Sequence, residues 1–197
     1  MKILHTSDWH LGHTLYNYDR SQEQQAFLEQ LSRIVAEEKP DAMVVSGDIY
    51  HYSTPSATTQ KMYTDGMLEI HRACPEMAIV VTAGNHDSSS KLEIDSNLWN
   101  HFGVKVVGNI ERNQEEVNLG KHIVEVRDKE GELKGYIIAV PHVYPQNFPM
   151  LDTETPREER QARFFQALQD EVEKINTDEL PVVLMAHLSI EGSEIGR

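Results

Sequence analysis

Basic residues are in short supply in this chain: 18 lysines and arginines face 32 acidic residues, a formal net charge of −14 over 197 residues. A protein that coats nucleic acid needs the opposite balance, because phosphates attract a basic surface. This balance argues against simple nucleic-acid coating. It does not exclude a nuclease, since metal ions or a partner can supply positive charge locally. Cysteine is nearly absent. The single copy, Cys74, excludes an internal disulfide and points towards the cytoplasm. Long apolar runs are missing too. No stretch approaches the roughly 20 apolar residues that span a bilayer, and the run after Lys2 is too short for the core of a secretion signal. Internal repeats and low-complexity segments are also absent.

What is present is ordinary globular material, 39% hydrophobic and 25% charged, at a length that suits one sizeable domain or a large part of one. The ten histidines carry more information, because imidazole is the commonest metal ligand and the usual proton shuttle at neutral pH.

Periodicity divides the chain. Residues 3–7 read as a strand and 21–38 as an amphipathic helix, with Phe27, Leu31, Ile34 and Val35 on one stripe. Ser21 and Gln24 have the spacing of a capping box, and Pro40 closes the segment. AMVVSG (42–47) reads as a buried strand, 56–73 as a second helix and AIVVTAG (78–84) as another buried strand. Short apolar strands alternating with helices predict a parallel sheet covered on both faces. Residues 104–109, 121–128 and 133–143 then read as strands of a second, partly antiparallel sheet, with a hairpin turn at KEGE (129–132). A helix near 157–175 and a buried strand at 181–187 complete the pattern. The expected fold is an α/β sandwich of two mixed sheets flanked by helices.

Four apolar strands end in residues that bind metals: Asp8 and His10, Asp48, Asn85 with His86, and His187. In open α/β sheets, ligands sit beyond the carboxyl ends of the strands, so neighbouring strands would bring these side chains together. Mixed carboxylate, amide and imidazole donors suit Mn²⁺, Fe²⁺ or Zn²⁺ better than Ca²⁺. A carboxylate shared by two ions about 3.5–4 Å apart would make a two-metal hydrolase centre. Gly47 and Gly84 precede Asp48 and Asn85, where glycine permits a tight turn close to a ligand.

Asp-x-His, GD, GNHD and a later strand-end histidine resemble the signature of the calcineurin-like metallophosphoesterase superfamily. Longer stretches, HTSDWHLGHTLYNYDRSQEQQAFL, VSGDIYHYSTPS, VTAGNHDSSSKLE, AVPHVYP and MAHLSIEG, are similar to the SbcD family of nuclease subunits, from Met1 to about Gly192. The resemblance implies two divalent ions, Mn²⁺ foremost. It places Asp8 and His10 on the first ion, Asn85 and His187 on the second, and Asp48 between them. His86 would protonate the leaving 3′ oxygen, and His51 would orient substrate or leaving group. The implied activity is metal-dependent hydrolysis of DNA phosphodiesters, 3′→5′ on double strands and endonucleolytic on single strands and hairpins. The implied partners are DNA, a coiled-coil ATPase, SbcC, and a second copy through the early helices.

The family continues with a Gly-His-x-His motif that adds one ligand to each ion, and nothing in residues 1–197 matches it. Residues 1–197 are therefore expected to be a metallophosphoesterase nuclease domain truncated before that motif, weak in metal binding and poor in activity by itself. Two rivals stand beside this expectation. One is another two-metal phosphoesterase of the same superfamily, against which the GDIYH extension argues. The other is a non-catalytic scaffold that docks DNA and an ATPase.

Other polar and aromatic residues have plainer expectations. Asp87 would cap the helix starting near Leu92. His5 would pack or hydrogen-bond inside its strand. His71, His101 and His122 read as surface positions, and Trp9 and Trp99 as core or rim. His142 could face the site, and His13 and Tyr16 could line its DNA side. Cys74 ends a helix. The acidic runs in TETPREER and DEVEKINTDE read as solvated faces.

Overall fold

Alternation along the strands sorts their side chains into layers. The computed structural model describes residues 1–113, 116–151 and 155–188. Strands β1 (Ile3–Thr6), β2 (Ala42–Ser46), β3 (Ala78–Thr82) and β4 (Val104–Val107) form one sheet in the order β1-β2-β3-β4, and every pairing is parallel. Helices α1 (Ser21–Glu38) and α2 (Ala57–Ala73) are the crossovers after β1 and β2, and short helices α3 (Ser89–Leu92) and α4 (Ser96–Asn100) lie between β3 and β4. The second sheet holds β5 (Ile123–Arg127), β6 (Leu133–Val140) and β7 (Val182–Ala186), with β6 in the centre, antiparallel to β5 and parallel to β7. Helix α5 (Arg160–Ile175) joins β6 to β7.

Met43, Val45, Ile79 and Val81 point to one face of the first sheet and pack with Leu28, Leu31, Val35, Tyr63, Met67 and Ile70 of α1 and α2. Their sequence neighbours Ala42, Val44 and Val80 point the other way and meet Val126, Ile137, Ala139 and Met185 of the second sheet. Tyr136, Ile138 and Val140 face outward from β6 onto Phe164, Leu168 and Val172 of α5. The result is four layers, helix–sheet–sheet–helix, as the period of two requires.

Three expectations are corrected. The 104–109 segment joins the parallel sheet at its edge instead of starting the second one, so the first sheet is purely parallel. The stripe of α1 is rotated: Leu28 is buried, while Phe27 is 37% exposed at its rim. No capping box forms. Arg20 is the N-cap, the Ser21 N–H is taken by the Asp19 carboxylate at 2.8 Å, and Gln24 is buried and used elsewhere. Within the last motif, residues 189–192 lie outside the described residues, as do Thr153 and Glu154 of the TETPREER run.

Candidate metal centre

The loops that follow β1 and β2 are sewn to each other by their backbones, and side chains tie the loop after β3 to them. Asp8 N–H donates to the Gly47 carbonyl at 3.1 Å, His10 N–H to the Asp48 carbonyl at 2.9 Å, and Leu11 N–H to the Ile49 carbonyl at 2.9 Å. His51 N–H returns to the Leu11 carbonyl at 3.1 Å. Asp8, His10 and Asp48 all take left-handed backbone angles, with φ of 56°, 44° and 53°. Such angles cost on the order of 1–3 kcal/mol apiece and persist where the surroundings impose them.

Two buried polar side chains do the imposing. Gln24 reaches out of α1; its carbonyl accepts the Gly12 N–H at 3.0 Å and its amide donates to the His10 carbonyl at 3.0 Å. Asp87 accepts three backbone N–H groups, from Tyr50 at 2.9 Å, Ile49 at 3.1 Å and Gly84 at 2.8 Å. Asp87 is thus no helix cap; Ser88 occupies the N-cap of α3. It braces the Asp48 loop against the Gly84 loop. Its burial raises the carboxyl above its ordinary range, against the pull of those three N–H groups, and nearby Asp48 adds to the rise. Neither brace announces itself in sequence. Gln24 has the spacing of a capping residue, and Asp87 sits in front of a helix.

Asp48 is the centre of the arrangement and is 3% exposed. One oxygen accepts the His86 N–H at 2.9 Å. The other lies 3.6 Å from His10 Nε2 and 3.7 Å from His187 Nε2. Asp8 Oδ1 is 3.7 Å from His10 Nε2 on one side, and Asn85 Oδ1 is 3.0 Å from His187 Nε2 on the other. Glycine is required at two neighbouring positions for space. A Cβ on Gly84 would overlap the Asp48 carboxylate and amide, and one on Gly47 would fall 2.6 Å from the His187 ring.

The five residues Asp8, His10, Asp48, Asn85 and His187 therefore come together from four strand ends. Their lone pairs converge without enough hydrogens between them. The His187 Nδ1–H must donate to the Ser46 carbonyl at 2.8 Å, since a carbonyl only accepts. Its Nε2 is left as a lone pair facing the Asn85 carbonyl oxygen and a carboxylate. A cation between such groups resolves the conflict, and an imidazole anchored to a carbonyl through its other nitrogen is the usual second contact of a metal-bound histidine. Asp8, Asp48 and His187 each offer an atom within 4.8 Å of the others. The donor set fits a pair of divalent transition ions.

Three more histidines, His13, His51 and His86, line the far side. His86 Nδ1–H donates to the His51 carbonyl at 2.8 Å, the His51 and His86 rings stack with centroids 5.1 Å apart, and His13 lies 4.3 Å from His51. Burial holds the His51 imidazole below its ordinary range, reinforced by His13, His10 and His86. His142 does face the site: it shares a cleft of about 310 Å³ with Asp8, Asn85 and His187, and its N–H is tied to the Ala83 carbonyl at 2.8 Å. His5 bonds to the Ser46 hydroxyl at 3.1 Å. Tyr16 is 96% exposed on the turn of a two-residue ribbon, Thr14–Leu15 with Tyr18–Asp19. His122, expected at the surface, is fully buried, with Nδ1 on the Ala139 carbonyl at 2.8 Å; its ring packs edge-on against Phe164. A pattern of single histidines in polar company could not foretell that.

The family model for calcineurin-like phosphoesterases matches residues 1–196. The chain belongs to the calcineurin-like phosphoesterase family. Within that family it is similar to curated proteins named as the SbcD subunit of the SbcCD nuclease. The one from Rhodobacter capsulatus is 33% identical over 98% of this chain and 49% of its own length. That from Escherichia coli is 26% identical over 98% and 48%, and that from Bacillus subtilis is 37% identical over 55% and 27%. The chain spans about half the length, or less, of these calcineurin-like relatives. Among the described residues, no helix is long and apolar enough to cross a membrane.

Proposed function

We propose that the protein is a metal-dependent DNA nuclease and that residues 1–197 form its metallophosphoesterase domain. One observation carries the reading: the Asp48 carboxylate, nearly sealed from solvent, stands between His10 and His187 at 3.6 and 3.7 Å. In this assignment Asp8 and His10 would hold one ion, Asn85 and His187 the other, and Asp48 would contribute to both. When bound, two divalent ions supply positive charge to the phosphate and an activated water at neutral pH.

The chain's own residues do the rest. Gln24 and Asp87 hold the ligand loops in their costly backbone angles before substrate arrives, so the geometry is set in advance. Ser46 fixes the His187 tautomer. The His51 carbonyl fixes His86 with its hydrogen on Nδ1; a second proton, on Nε2, is then the one available to a leaving 3′ oxygen. His51 is biased towards the neutral form and serves as a hydrogen-bond partner of the substrate or leaving group. His86 and His51 are the proposed catalytic pair.

The names of the relatives support the nuclease reading and membership of an SbcCD-type complex. We extend this to Mn²⁺ as the ion, to 3′→5′ double-strand and single-strand or hairpin cutting, and to end processing in DNA repair and recombination in the cytoplasm. We also extend it to a homodimer docked on a coiled-coil SbcC ATPase. The test uses the gene product that contains these residues, with Mn²⁺, on labelled duplex and hairpin DNA, on bis-p-nitrophenyl phosphate and on phosphomonoesters. Cleavage of DNA that stops with EDTA is expected. Turnover of phosphomonoesters without DNA cleavage would move the protein to another phosphoesterase class. Metal and DNA binding with no turnover of any substrate would make it a scaffold.

A further inference from the structure

We propose that His10, His51 and His86 form a second cation site, a three-imidazole arrangement that takes Zn²⁺ in competition with the two-ion centre. Each of the three offers a nitrogen within 4.8 Å of the other two. Their ring centroids are 4.9 Å apart for His10 and His86, 5.1 Å for His51 and His86, and 5.4 Å for His10 and His51. The site is built by backbone: His10 and His51 sit on loops joined through Leu11, and His86 is held by the Asp48 carboxylate and the His51 carbonyl. With Nδ1 of His86 committed to that carbonyl, Nε2 is its free lone pair. His10 Nδ1 and His51 Nδ1 are both buried with no hydrogen-bond partner, an arrangement that costs free energy unless something else meets them.

The chemistry of the three donors selects the ion. Three neutral imidazoles with no carboxylate suit Zn²⁺, which binds nitrogen at about 2.0–2.1 Å and is content with four ligands. Mn²⁺ and Mg²⁺ favour oxygen. Small ring rotations bring the nitrogens onto one ion, leaving a fourth position for water. His10 faces the two-ion centre with Nε2 and leaves Nδ1 for this site, so the ring rotation that brings Nδ1 onto an ion here turns Nε2 away from Asp8 and Asp48. Filling the site also occupies His86 and His51. Zn²⁺ at this position is therefore an inhibitor.

The inference rests on the assignment of Asp48 and His10 to the two-ion centre, so the test separates the two. Asp48→Asn removes the shared carboxylate and leaves the three imidazoles. ZnCl₂ is titrated calorimetrically into Asp48→Asn, into the double variants Asp48→Asn/His51→Asn and Asp48→Asn/His86→Asn, and Mn²⁺ binding is followed by the free-ion EPR signal. Folding is checked by circular dichroism, with Asp8→Asn as the replacement background if Asp48→Asn does not fold. The expected result is one Zn²⁺ retained by Asp48→Asn and weakened at least about tenfold in each double variant. Equal Zn²⁺ affinity in single and double variants, or no Zn²⁺ in Asp48→Asn, overturns the inference. Mn²⁺ affinity undiminished in Asp48→Asn overturns the two-ion assignment and leaves the zinc result to be judged on its own.

Discussion

In the first sheet, β1, β2 and β3 run directly into loops that are hydrogen-bonded to each other and carry Asp8, His10, Asp48, His51, Asn85 and His86. In the second sheet, β6 and β7 reach the same place with His142 and His187, each tied by one hydrogen bond to the first sheet, at Ala83 and Ser46. The first sheet buries charge and polar groups at its strand ends and holds three residues at left-handed angles. The second buries aromatic and aliphatic groups on both faces of β6 and presents its histidines from the outside. Chemistry and backbone strain are concentrated in one sheet, while the other contributes packing and one proposed ligand, His187. Substitutions should therefore separate into those that disable the site and those that loosen the fold.

The largest effect belongs to Asp48. Asp48→Asn keeps the shape and the acceptor for His86 N–H but removes the shared charge; DNA hydrolysis should fall by at least about a thousandfold, measured on labelled duplex at saturating Mn²⁺. His86→Ala should lower the cleavage rate by about 10²–10⁴-fold while sparing metal and DNA binding. Normal cutting by this variant would sink the acid assignment. In the other sheet, Phe164→Ala should cost about 3–5 kcal/mol of stability by chemical denaturation with little change in metal affinity of the folded protein. A loss of metal binding at constant fold would erase the contrast between the halves. Gln24→Ala lies on the boundary: it is 7% exposed and distant in sequence from the ligands, yet it holds the His10 loop. Metal affinity should drop about 10–100-fold, which calorimetry can read.

The smallest effect concerns pH. Burial holds His122 below its ordinary range, with Lys121 acting the same way and the Ala139 carbonyl opposing. The folded state therefore binds this proton later than the unfolded chain on acidification. The stability from neutral His122 is complete above the unfolded value of about 6.5 and declines as pH falls below it. His51 and His142, also lowered first by burial, add in the same direction; Asp87, raised, opposes them at lower pH. The melting temperature should drop from neutral to mildly acid pH, and His122→Gln should shallow that drop. An unchanged slope would remove His122 from the account.

Much of this was legible in sequence because strand ends carry both topology and chemistry. Alternating apolar runs located the layers, and Asp8, His10, Asp48 and Asn85 each follow a run of the parallel sheet, so their convergence was foreseeable; His187 follows a strand of the other sheet and reaches them only through the packing of the two sheets. What was not legible depends on long-range geometry. Gln24 and Asp87 are 12 and 37 residues from the N–H groups at Gly12 and Tyr50 that they satisfy, and local spacing suggested helix caps instead. Residues 104–107 have the same apolar pattern in either sheet; only their pairing with Ile79–Thr82 decides. His122 reads like any polar-segment histidine until Phe164, from a distant helix, closes over it.

The central claim is that Asp48 is shared by two ions, and electron paramagnetic resonance of the protein titrated with Mn²⁺ addresses it most directly. The account predicts two Mn²⁺ per chain with a spin-coupled spectrum that gives way to uncoupled Mn²⁺ in Asp48→Asn. A saturated protein showing isolated, uncoupled Mn²⁺, or a coupled spectrum that survives Asp48→Asn, would contradict it.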